Sequence, residues 1–149
     1  MNSRQKIVTI IVLIVVCISG WFGFNLYRTL RQIPVAYAAW DTGTLLVEYM
    51  KQHDERWPKS WDELLTVLES ADGQKLTLRG AMAGDVVYAQ SLREKIAIDW
   101  HFNPANPSAA NPITTADGQT FRMAWQGGEP NEMVRAHLSQ AASTQAANE

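Results

Sequence analysis

Ile7 to Phe24 reads IVTIIVLIVVCISGWFGF and holds no charged residue. Eighteen residues of helix at about 1.5 Å each span roughly 27 Å, close to the hydrocarbon thickness of a bilayer. Arg4 and Lys6 precede the run, and Arg28 and Arg31 follow it. Trp21, Phe22, Phe24 and Tyr27 crowd its far end, where aromatic rings favour the headgroup level. Residues 1–24 are therefore expected to be a membrane anchor. A cleaved signal peptide needs a small-residue site close behind the apolar core. The best such site, Ala36-Tyr37-Ala38, lies well past it, beyond Arg28 and Arg31. Val16 before Cys17 makes a poor lipidation site. An uncleaved single-pass signal anchor is the expectation. Arg4, Lys6 and the terminal amine outweigh Arg28 and Arg31 by one charge, which places the N-terminus in the cytoplasm and the domain outside.

The helical pattern continues beyond the anchor. Leu26, Leu30, Ile33, Tyr37, Trp40, Thr44 and Val47 recur at gaps of three and four, the spacing of one helix face. The helix should reach about Gln52, with a kink or restart at Pro34, because proline lacks the amide donor and crowds the preceding turn. This stripe is either packed on its own domain or a seam for a second copy or a partner helix. Leu26, Leu30, Ile33, Tyr37 and Trp40 are the candidate partner-binding residues. The lipid bilayer is the other expected partner.

His53-Asp54-Glu55-Arg56 breaks the helix, and Trp57-Pro58 forces an extended stretch. Ser60-Trp61-Asp62-Glu63 is a capping box that opens a helix to about Ser70, and Asp72-Gly73 ends it. Ile96 to Phe102 alternates apolar and polar residues, and so does Phe121 to Trp125. Both read as half-buried strands, separated by a long loop, Asn103 to Gly118. Lys75 to Arg79 suits a short strand, and Asp85 to Ser91 suits strand or helix. Glu129-Pro130-Asn131-Glu132 opens a last helix carrying Met133, Val134, His137 and Leu138. Residues 139–149 are small and polar and should fray. The fold class expected is α+β: an N-terminal transmembrane helix continuing into a kinked amphipathic helix packed on a small antiparallel sheet. Residues 25–138 form a single exported domain.

The chain of 149 residues carries a net charge of −2. Past Phe24, 11 of its 13 basic residues remain beside all 15 acidic ones, a balance that argues against a nucleic-acid partner. One cysteine, Cys17, forbids a disulfide within the chain. Five of the six tryptophans lie outside the anchor, where they fill a core or line a binding surface. His53, His101 and His137 show no spacing that builds a metal site, and no phosphate-binding or nucleophile motif is present. Asp99 and His101 on one strand face, about 7 Å apart, are the remaining candidates for acid–base or metal chemistry, with His53 or Glu55 across space. No cofactor, metal or catalytic activity is expected.

Tyr49, Trp57-Pro58, Ser60 and Leu64-Leu65, following a long apolar first helix, resemble the corresponding run of type IV pilins and type II secretion pseudopilins. The sequence departs from that family in having no glutamate within the apolar run and no Gly-Phe-Thr-Leu ahead of it. The resemblance implies a pilin-like domain on an uncleaved anchor, with a scaffolding or assembly role in the cell envelope. The rival readings are a ligand- or peptide-binding module and an enzyme that uses Asp99 and His101.

Overall fold

The computed structural model describes residues 3–80, 85–108, 110–121, 125 and 128–147, and their side chains except those of 3, 4, 6–11, 28, 31 and 86. Helix α1 runs Ser3–Gln52 as one element with Pro34 inside it, so the helix does not restart there. The chain divides into two compact units at this proline, Met1–Ile33 and Pro34–Glu149.

The first unit is helix. Its described side chains from Val12 to Leu30 that are large and apolar are all more than half exposed. The stretch is long and apolar enough to cross a bilayer. Two of its polar side chains are satisfied within the helix. Asn25 Nδ2 donates to the Trp21 carbonyl at 2.8 Å, and Thr29 Oγ1 donates to the Asn25 carbonyl at 3.0 Å. Internal pairing of this kind is what a lipid environment demands.

The second unit has its own apolar core, drawn from the end of α1 and from later helices and strands. Here the structure corrects the reading of α1. The buried side chains are Ala38, Ala39, Asp41, Thr42, Leu45, Leu46, Tyr49 and Met50. At about 100° per residue, these centre on the side of the helix opposite Tyr37, Trp40, Thr44 and Val47. Small residues decide the choice. Gly43 is buried, and a Cβ there would stand 3.4 Å from Pro130, so α4 packs against its backbone.

Ser60 caps α2 (Trp61–Leu65), accepting from the Glu63 amide at 3.2 Å. The box is not reciprocal as expected: Glu63 Oε2 accepts from the Lys59 amide at 2.8 Å instead of from Ser60. Two 3₁₀ turns follow, Thr66–Glu69 and Gly73–Lys75. Gly73 is required by close approach, since a Cβ would lie 1.8 Å from the Val67 carbonyl oxygen. No strand forms at Lys75 to Arg79. Asp85 resolves the ambiguous segment as helix, its carboxylate accepting from the Tyr88 amide at 3.0 Å to start α3 (Val86–Ser91).

Among the described residues the sheet is two antiparallel strands of three residues, and the first is shorter than the Ile96 to Phe102 alternation predicts. Strand β1 is Ile96–Ile98 and β2 is Ile113–Thr115, with Ile98 opposite Ile113. β2 falls inside the segment read as a loop. Pro112 precedes a β-branched run, Ile113-Thr114-Thr115, which suits an extended chain. The predicted second strand, Phe121 to Trp125, lies largely outside the described residues. The outer edge of β2 is covered by α4 (Pro130–Ala147), in which buried Asn131 accepts from the Ile113 amide at 2.8 Å and donates to its carbonyl at 3.1 Å. α4 continues into the segment expected to fray as far as Ala147, with residues 142–147 exposed. The architecture is α+β, with helix dominating.

Candidate functional site

Asp99 and His101 do not share a strand face. β1 ends at Ile98, and the two residues sit in the turn beyond it. Asp99 Oδ1 accepts the His101 amide at 2.9 Å, so the carboxylate shapes the turn, and both side chains are exposed. The chain turns because Asp99 ties it back; strand alternation alone did not reveal this. Glu55 meets His137 rather than this pair, with Nε2 to Oε2 at 2.7 Å. His53 stacks on Tyr49 with ring centroids 4.0 Å apart. Among the described residues, no three His, Cys, Asp or Glu side chains are grouped to hold a metal ion.

Leu26, Leu30, Ile33 and Tyr37 are exposed on α1. Trp40 is half-buried, with the Arg79 guanidinium 3.9 Å from its ring centroid, a cation–π contact. The tryptophans do not fill the centre of the core. Trp57, Trp61, Trp100 and Trp125 are partly buried around its margin, and the largest fully buried apolar side chains are Leu, Ile, Val and Met. A wide indole rarely fits wholly inside a core this small.

Two features were not expected from sequence. The first is Asp41, fully buried in the part of α1 that belongs to the second unit. Its Oδ1 accepts the Arg79 amide at 2.7 Å, and its Oδ2 accepts the Gly80 amide at 3.0 Å and the Tyr88 hydroxyl at 2.7 Å. Burial, reinforced by this hydrogen bond and by the carboxylate's charge, pushes the Tyr88 phenol up. The sequence signal is an acid on a helix face shared with Ala38, Thr42 and Leu45.

The second is the end of α1. Asp54 and Glu55 both adopt positive φ, 55° and 60°, the left-handed region that costs a side-chain-bearing residue on the order of 1–2 kcal/mol. The Glu55 amide closes the helix by donating to the Met50 carbonyl at 2.9 Å. This turn aims Glu55 at His137 on α4. Two clefts adjoin Glu55. One, of about 390 Å³, is lined by Lys51, His137, Gln140 and Thr144. The other, of about 550 Å³, is bounded by Arg56, Trp57, Lys59 and Pro104 and floored by Leu138 and Ala141. Trp57 is held in place there: its Nε1 donates to the Asp99 carbonyl at 2.9 Å, and its ring lies 4.7 Å from that of Phe102. The arrangement offers binding surface, and it groups no nucleophile, base and anion-stabilising donors.

Compared with family models, with curated proteins and with solved structures, the chain finds no match.

Proposed function

We propose that this chain is a single-pass, membrane-anchored cell-envelope protein whose pilin-like, extracytoplasmic domain has a scaffolding or assembly role. One observation carries the reading. In α1, the large apolar side chains from Val12 to Leu30 are exposed, while those from Ala38 to Met50 help form the core of the second unit. An exposed apolar helix of this length is stable only when something apolar covers it, and a bilayer does so at the required thickness. The slight basic excess at the N-terminus favours a cytoplasmic start. A long helix that passes from an apolar segment into a compact domain is the layout that the pilin-like run Tyr49, Trp57-Pro58, Ser60 and Leu64-Leu65 implies.

The test is a pair of reporters fused after Glu149, one active only outside the cytoplasm and one only inside, together with detergent-dependent extraction. We expect the protein in the membrane fraction and only the export-dependent reporter active. Activity of the cytoplasmic reporter alone would reject the orientation and the assembly role with it. Release by high salt without detergent would reject the anchor.

A further inference from the structure

We propose that the cleft at the end of α1 docks an acidic peptide segment, carrying apolar side chains, from a partner protein. This gives the assembly reading a place on the domain, and it rests on that reading only for the partner being a protein. The volume, about 550 Å³, suits a few side chains. Trp57, Pro104, Leu138, Ala141 and Ala142 make its apolar lining. Two cations stand beside them. Among the described residues, Lys59 forms no ion pair. Arg56 spends only its Nε, donating to the His53 carbonyl at 3.0 Å. One acid, Glu55, lines the cleft and pairs with His137, so the lining counts two cations against one carboxylate.

This local positive charge runs against the rest of the chain, where acids outnumber bases past Phe24. Such a patch attracts acidic groups. Asn103 and Gln145 supply polar side chains at the same cleft. The hydrogen bond from Trp57 to Asp99 fixes the wall before anything binds, which lowers the entropy cost of association. The surface is concave, so it fits a protruding segment better than the flat face of a membrane.

The test uses the full chain in phosphatidylcholine nanodiscs and a fluorescein-labelled peptide of alternating glutamate and leucine, read by anisotropy. A saturable rise is expected, weakening as salt is raised. Lys59→Glu should weaken it by about fivefold or more, because an attractive contact becomes a repulsive one. Arg56→Ala should weaken it too, with near-ultraviolet circular dichroism confirming the fold. Because the Lys59 charge also acts on Glu63, circular dichroism checks the fold of Lys59→Glu too, and Lys59→Gln, which adds no like charge and should also weaken binding, keeps the test decisive. Equal binding of the glutamine–leucine peptide, no saturable rise, or indifference to Lys59→Glu would each overturn the proposal. So would a protein that ignores the peptide and binds phosphatidylglycerol vesicles through these same two cations. The topology reporters read the anchor and orientation separately, so failure here is distinguishable from failure there.

Discussion

A carboxylate with no exposed surface is costly unless donors replace its water, and Asp41 has three. It ties the chain at Arg79 and Gly80, and the start of α3 at Tyr88, to the second-unit part of α1. Gly80 fits this arrangement because a Cβ there would lie 1.9 Å from the Tyr88 hydroxyl. Asp41→Ala strands two backbone amides and a phenol, so it should lower stability by about 3 kcal/mol. Tyr88→Phe removes one donor of the three and should cost about 1 kcal/mol. Urea unfolding of the two variants checks the order. Equal losses would show that the amide contacts contribute nothing.

At the scale of elements, α1 and α2 are joined through one carboxylate. Glu63 accepts a short hydrogen bond from the Tyr49 hydroxyl and another from the Lys59 amide. The Tyr49 bond is the main reason the Glu63 carboxyl is held below its ordinary range, and the Lys59 amide adds to it. Tyr49 moves the other way, pushed up to about 12 chiefly by burial and then by Glu63. The two shifts act at opposite ends of the pH scale. A depressed carboxyl contributes stability above its unfolded value and loses it as pH falls through the folded one. A raised phenol contributes below its unfolded value and loses it as pH rises toward about 12. Stability measured by urea unfolding should therefore be flat near neutrality and decline on both limbs. Glu63→Gln should make the acid limb shallower, and an unchanged limb would place that dependence elsewhere. Tyr49→Phe should make the alkaline limb shallower.

At the scale of the whole molecule, the division at Pro34 separates a helix with exposed apolar side chains from a unit with its own core. That core draws on α1, α2, α3, β1, β2 and α4, so no late element is dispensable. The buried side-chain polar atoms of the described residues all find partners, as a self-sufficient domain requires. Residues 34–149 expressed without the first unit should stay soluble and unfold cooperatively on heating. A non-cooperative or aggregated product would show that the core depends on the missing helix.

The sequence alone determined the features whose signals are local. The apolar run from Ile7, the length of α1, the Ser60 cap and the opening of α4 at Glu129-Pro130 all depend on residues within about one helical turn of each other. His53 to Arg56 was legible as a polar break and Trp57-Pro58 as an extended turn, though not as the wall of a cleft. Only the tertiary structure decided which side of α1 is buried, because close approach at Ala38, Thr42 and Gly43 outweighed the larger hydrophobes opposite. It also decided that β1 pairs with Ile113–Thr115, that Asn131 covers the outer edge, and that Asp41 and Glu55 find Tyr88 and His137. Those partners lie from 15 to 82 positions away along the chain. Local propensity carries no term for such a partner, and only packing of the whole chain selects it.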